Sequence, residues 1–386
     1  MLNCSWEPVI REHLLQETGI EEMLYKKLLK PVFFAMEPES AHHLVIKGLS
    51  VAANIPGMLN LLEAMYGQSG MPELEVELFG LKFPNPLGLA AGLDKNGQAV
   101  PAFSRLGLGF MEVGTVTPRP QPGNDKPRLF RLPEYEALIN RMGFNNIGAY
   151  AMAINLQKSY NNKMPLGINI GKNKTTPNER AEDDYRECIR TLHPYGDFFV
   201  VNISSPNTPD LRKLQHGEEL AGLLSAVTDE MEKQEGGGRF KPVLVKIAPD
   251  LSDEELQAML ETILSSRVSG IIATNTTLSR EGLNHRHAHE AGGLSGKPLR
   301  NRSTEIIRKI YQWTAGKLPI IGSGGVFDGQ DAYEKICAGA SLVEIYTGLV
   351  YEGPEVIGKI CVELKALLEK DGFSHISQAV GAAHRK

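Results

Sequence analysis

Phe198-Phe199-Val200-Val201-Asn202-Ile203-Ser204-Ser205 is an apolar run that ends in an amide and two hydroxyls. A run this short suits a strand covered on both faces, as in a parallel sheet. Seven more runs share its plan, at residues 87–91, 110–115, 166–170, 243–247, 270–274, 319–322 and 342–346. Helical stretches follow most of them, at 98–106, 181–192, 217–232, 253–264, 304–311, 330–338 and 354–368. Ser252, with Glu255 three residues on, makes a capping box for the helix that starts at Asp253. Strands and helices alternating in this way predict an α/β protein, a (β/α)8 barrel. Such barrels work at the C-terminal ends of their strands. Those ends carry Lys95, Thr115, Asn169, Asn202, Ser205, Lys246, Asn275, Gly325 and Tyr346.

The chain has 386 residues, enough for one large α/β barrel and a small appendage, or for two ordinary domains. A net charge of −5 and the lack of a dense basic run argue against nucleic acid as a partner. Four cysteines lie far apart with no CxxC, so neither a disulfide framework nor a zinc site is expected, and a reducing compartment fits. No run of 18 apolar residues is present to span a bilayer. Glu7, Glu12, Glu17, Glu21 and Glu22 make the N-terminus unlike an Arg-rich transit peptide, although one could have been removed from a longer precursor.

Three regions are expected: helical residues 1–66, a linker at 67–80 and the barrel at 81–386. A short helix over 21–29 should stop near Pro31, and a second should start near Pro38. Leu44, Val45, Leu49 and Ala52 share roughly one face of the second, and Val32, Phe33, Phe34 and Met36 add apolar surface. These helices either cap the barrel or form a surface that enters a membrane interface or lines an apolar tunnel. Residues 116–165 and 204–217 are long connections at the working face, where loops act as lids or grips. The first is too proline-rich at 117–124 for a helix.

Several strand ends carry chemistry. Ala90, Ala91 and Gly92 let a flat ligand approach the backbone, with the Lys95 cation beyond. Asn202 and Asn207 can read a polar ring edge, and Ser205 is a candidate proton acceptor or nucleophile without an evident histidine partner. Lys246, inside an apolar strand, must meet an anion or a carbonyl, as a Schiff base or as a cation beside a ligand that gains negative charge. Gly322-Ser323-Gly324-Gly325 and Tyr346-Thr347-Gly348 end the last two strands, where barrels often bind phosphate. They suggest a phosphorylated cofactor. Gly293–Lys297 only imitates a phosphate loop, since Ala291 and Pro298 break the motif. His285, His287 and His289 read as a solvated polar loop, and no metal site is expected.

The chain resembles the class 2, quinone-dependent dihydroorotate dehydrogenases. LGLAAGLDK (87–95), EVGTVTPRPQPGNDKP (112–127), INRMGFN (139–145), GINIGKNK (167–174), NISSPNT (202–208), VKIAP (245–249), ATNTT (273–277) and GGLSG (292–296) carry the resemblance. Pro38-Glu39-Ser40-Ala41-His42 fits the helical extension of that class. The resemblance implies oxidation of dihydroorotate to orotate in pyrimidine synthesis, through FMN to ubiquinone. FMN would meet Ala90, Ala91, Gly92, Thr115, Asn169, Asn202, Lys246, Thr274, Ser295, Gly296, Gly325, Tyr346 and Thr347. Substrate would meet Lys95, Asn140, Arg141, Met142, Gly143, Phe144, Asn202, Asn207, Asn275 and Thr276. Ser205 matches the catalytic base, Lys246 the cation beside the flavin, and His42, Arg131 and Tyr346 a quinone site. A peripheral inner-membrane monomer, resting on the membrane through the N-terminal helices, is implied as well.

Overall fold

The computed structural model describes residues 24–68, 70–159, 164–238 and 240–385. Eight strands form a closed parallel barrel: β1 (Leu87–Leu89), β2 (Phe110–Val116), β3 (Leu166–Ile170), β4 (Phe198–Asn202), β5 (Val243–Ile247), β6 (Gly270–Ala273), β7 (Ile320–Ser323) and β8 (Leu342–Ile345). Each pairs with the next in chain order, and β8 closes onto β1 through Val343–Leu87 and Ile345–Leu89. Every residue of these strands is buried, which is why the sequence shows unbroken apolar runs rather than alternation. The expected eight-strand barrel is therefore the fold, with ends shifted by a residue or two. The capping box at Ser252 is formed, with both reciprocal hydrogen bonds in place.

The bottom of the barrel is plugged by aromatic rings. A Cβ on Gly88 would sit 2.3 Å from the Phe110 ring, and one on Gly167 would sit 2.3 Å from the Phe198 ring. The two glycines thus make room for two phenylalanines, and Phe83 packs edge-on against Phe110. Residues two apart on a strand share a face, so Glu112 stands directly above Phe110 inside the barrel.

Among the described residues three α-helices precede the barrel: α1 (Lys30–Ala35), α2 (Pro38–Ala52) and α3 (Met58–Tyr66). The expected stop at Pro31 does not occur. Pro31 sits in the first turn of α1, where its missing N–H costs nothing, and a π-helical turn over Leu24–Leu29 leads into it. The rest of the helix expected from residue 21 lies outside the described residues. Helix α2 starts at Pro38 as expected, capped by the Glu37 carboxylate, which accepts from Glu39 N–H and Ser40 N–H. Leu28, Val32, Leu44, Val51 and Leu61 remain exposed on these helices and the turn before them.

The insertion at 116–165 is more ordered than its prolines suggested. Leu129–Leu132 and Ala137–Asn140 form an antiparallel pair within it. Gly293–Gly296, the stretch that imitates a phosphate loop, pairs with Ala137–Asn140 to make a three-stranded sheet over the barrel mouth. Pairing across about 150 residues of sequence leaves no local periodic signal, so the sheet was not expected. His285 and His287 are half-buried rather than solvated, beside Glu134 at 3.5 Å and Glu290 at 3.9 Å. Among the described residues no group of three His, Cys, Asp or Glu could hold a metal ion, and no helix is long and apolar enough to cross a membrane.

Candidate active site

A cavity of about 1190 Å³, counted with its open mouth, occupies the C-terminal ends of the strands. All the site residues named from the sequence line it except Asn169, Arg141 and Arg131. Asn169 lies one layer below, in the hydrogen-bond network of the floor. Arg141 is directed elsewhere: its guanidinium bonds Glu290 at 2.6 Å and stacks 4.7 Å over Phe130. Arg131 donates to Met36 O at 2.8 Å and lies 4.7 Å over the Phe34 ring, on the side of the N-terminal helices.

Lys246 is the centre of the floor. Its Nζ lies 3.2 Å from Glu112 Oε1 and 3.1 Å from Glu344 Oε2, and all three side chains are buried. Burial alone would discharge the amine, but the two carboxyls outweigh it and hold Lys246 above the ordinary lysine range. A lysine kept protonated is a poor nucleophile, so the geometry speaks against a Schiff base. The sequence reading missed Glu112 and Glu344. The signal was available: each is a lone acid inside an apolar strand, the same oddity that singled out Lys246.

A ring of amides and hydroxyls surrounds this cluster. Asn169 Nδ2 donates to Glu112 Oε2 at 2.7 Å, and Thr115 Oγ1 donates to Asn169 Oδ1 at 2.5 Å. Asn202 Nδ2 reaches both Thr115 Oγ1 at 2.9 Å and Asn169 Oδ1 at 3.1 Å. Asn275 Nδ2 donates to Ser204 Oγ at 2.9 Å, and that hydroxyl donates to Asn202 Oδ1 at 3.1 Å. Each amide is thereby fixed in orientation before any ligand arrives. Ser204, also missed from sequence, does this positioning beside Ser205.

The substrate side of the cavity is equally ordered. Asn207 Nδ2 donates to Asn140 Oδ1 at 3.3 Å, and Asn207 N–H donates to Ser205 Oγ at 3.3 Å. Lys95 Nζ donates to Gly92 O at 2.7 Å, and burial lowers its pKa to about 8. The loop over 204–217 is tied down by Arg212, which bonds Ser204 O, Asp250 Oδ2 and Thr276 O at 3.0, 2.9 and 3.4 Å. At the opposite end, Ser295 and Thr347 hydroxyls bond each other at 2.8 Å beside Gly296, Gly324 and Gly325. Gly325 has φ +74°, and a Cβ there would lie 2.6 Å from the Arg300 backbone, so only glycine fits this turn. His42, from α2, closes the cavity on the helical side, where burial and then the nearby Lys95 charge lower its pKa to about 3.

A closed parallel barrel with a buried cation at its floor, amides gathered at its mouth and a glycine turn at its last strands defines a (β/α)8-barrel protein with a polar ligand cavity at the C-terminal ends of its strands. The comparisons with known proteins sharpen that class. A sequence profile for dihydroorotate dehydrogenase matches residues 73–368, and the chain belongs to that family. It is 51% identical over 361 residues to the Dihydroorotate dehydrogenase (quinone) of Deinococcus deserti, covering 93% of this chain and 99% of the relative. It is 48% identical to the protein of the same name from Myxococcus xanthus, covering 93% and 98%. The crystal structure of DHODH in complex with ferulenol from Eimeria tenella superposes with a TM-score of 0.83 at 41% identity, covering 90% of this chain and 96% of that one.

Proposed function

We propose that this enzyme oxidises (S)-dihydroorotate to orotate in UMP synthesis, with FMN held in the barrel-mouth cavity and ubiquinone as the final acceptor. The observation that carries the reading is the set of Asn140, Asn202, Asn207 and Asn275 gathered with Lys95 and Ser205 around one cavity floored by Lys246. Orotate is flat, with a carboxylate and an imide edge. Four amides can satisfy that edge, and Lys95 can pair with the carboxylate.

The residues present fit FMN. Ala90, Ala91 and Gly92 make a flat wall without long side chains, and the Lys246 ammonium faces the same space. The Gly325 N–H makes no hydrogen bond among the described residues and is open to a phosphate oxygen. When bound, FMN supplies the two-electron acceptor for hydride from substrate C6 and passes the electrons on. Ser205 takes the C5 proton, and Asn207 N–H orients its hydroxyl. Lys246 offers a fixed positive charge where negative charge develops. Arg212 anchors the loop that carries Ser205 and Asn207 to Ser204 O and Thr276 O, and so holds both side chains at the cavity.

The quinone reading rests on neighbourhood. His42 and Tyr346 share the cavity edge that faces the helices, and Arg131 lies beside Phe34 and Met36. Residues 1–66 then serve as the quinone and membrane domain, 67–80 as linker and 81–386 as the FMN barrel. The exposed Leu28, Val32, Leu44, Val51 and Leu61 support peripheral seating on a membrane. We take that membrane to be an inner membrane and the enzyme to be a monomer.

Anaerobic stopped-flow tests the whole reading. Purified protein should be yellow, dihydroorotate should bleach it, and ubiquinone should restore the colour. Protein that binds no FMN, or whose colour ignores dihydroorotate, overturns the proposal.

A further inference from the structure

The three ionisable groups at the cavity floor are unequal. Glu112 has two donors: Lys246 Nζ on Oε1 at 3.2 Å and Asn169 Nδ2 on Oε2 at 2.7 Å. Glu344 has one, Lys246 Nζ on Oε2 at 3.1 Å, and its Oε1 is buried without a partner. Both carboxyls are fully buried and lie within hydrogen-bonding reach of each other. A buried carboxylate with an unpaired oxygen is costly, whereas a carboxylic acid can donate to its neighbour. Two carboxylates facing one ammonium would also leave the floor with a net negative charge, directly under the space where negative charge must be accommodated. Tyr346, two residues after Glu344 and just past the end of β8, also lines the cavity, and burial raises it to about 12, so it stays neutral.

We propose that Glu344 is a positioning residue that holds one proton shared with Glu112 beneath Lys246, so that the floor is neutral rather than negative and does not repel an electron-rich ligand set against the ammonium. Glu112 is the ionised partner and Glu344 the acid. Burial and the adjacent Glu112 charge push Glu344 well above the usual carboxyl range, while Lys246 leads the groups that hold Glu112 below it against burial. The inference rests on FMN being the cavity's ligand, but the protonation state itself belongs to the protein.

Infrared spectroscopy and a spectroelectrochemical titration of the purified flavoprotein test it. Wild type should show a protonated-carboxyl stretch that is lost in Glu344→Gln. It should also be lost in Glu112→Gln, because Glu344 would then ionise to serve Lys246. At neutral pH either single substitution keeps the floor neutral, so the flavin reduction equilibrium should move by less than about three-fold, whereas the double Gln variant leaves a bare ammonium and should favour the reduced flavin by more than about ten-fold. A wild type without the carboxyl stretch overturns the inference, and so does a single Glu344→Gln that alone reaches the ten-fold shift, since both carboxyls would then have been ionised. A wild-type spectrum without the stretch is decisive even if a variant does not fold; burial also pushes up Asp94 and Asp331, so loss of the stretch in Glu344→Gln is what assigns it. Colourless protein would instead overturn the FMN reading, and the presence or absence of the Glu344 stretch in that same protein would still decide the protonation state.

Discussion

Arg128 grips Glu39 with three hydrogen bonds, the shortest from Nη2 to Oε1 at 2.7 Å, and so joins helix α2 to the insertion over the barrel mouth. The same guanidinium donates to Pro122 O and Asn124 O at 2.7 Å. Asn124 in turn donates from Nδ2 to Asn207 O at 3.1 Å. One buried pair thereby connects the N-terminal helices to the loop that carries Ser205.

Breaking that pair should be costly. Arg128→Ala leaves the Glu39 carboxylate buried without its partner, and a loss of about 3–5 kcal/mol in unfolding free energy is expected from urea denaturation. Burial pushes the Glu39 carboxyl up, but Arg128, with Lys126 and His43 beside it, brings it down to about 2. A carboxyl depressed in the folded state stabilises fully above its unfolded value. The contribution should therefore be intact at neutral pH, fade below about pH 4.5 and vanish as pH falls through about 2. A wild-type minus Arg128→Ala difference that stays constant across that window would contradict this account.

Ser205→Ala should leave FMN bound and slow its reduction by dihydroorotate at least 10²-fold, an estimate of about what a positioned general base contributes. Rapid mixing without oxygen reads the step directly. Unchanged reduction would remove Ser205 from the base role.

Lys95 gives the pH profile a second limb. Its amine loses charge as pH rises through about 8 in the free enzyme, and a bound carboxylate would hold the charge on. Above that pH kcat/KM should bend downward while kcat does not, because the bound carboxylate keeps Lys95 charged. Lys95→Met should raise KM at least about ten-fold, the worth of one charge-assisted hydrogen bond. Equal bending of both parameters would point to a group other than Lys95.

The helical region should separate the two half-reactions. His42→Ala and Arg131→Ala should spare reduction by dihydroorotate and slow reoxidation by ubiquinone. Val32→Glu with Leu44→Glu should weaken binding to phospholipid vesicles without changing either rate for soluble acceptors, because both are exposed apolar residues of the N-terminal helices. Sedimentation with vesicles and double-mixing stopped-flow distinguish these effects from a loss of folding.

The sequence by itself determined the barrel. Runs such as Phe198–Asn202 and Val243–Ile247 bury both faces, and that demand is local, so it is written in consecutive residues. It also determined where chemistry would stand, because strand ends are read from the same runs. Tertiary structure alone decided what meets what. Glu112 and Glu344 lie 134 and 98 residues from Lys246 along the chain, and only closure of the barrel turns three lone charges into one cluster. The sheet over the mouth likewise depends on Gly293–Gly296 pairing with Ala137–Asn140, and the exclusion of Arg141 from the cavity depends on Glu290. Hydrophobic periodicity records burial, which each residue experiences alone. Pairing of polar groups is a property of two residues at once, and spacing along the chain does not carry it.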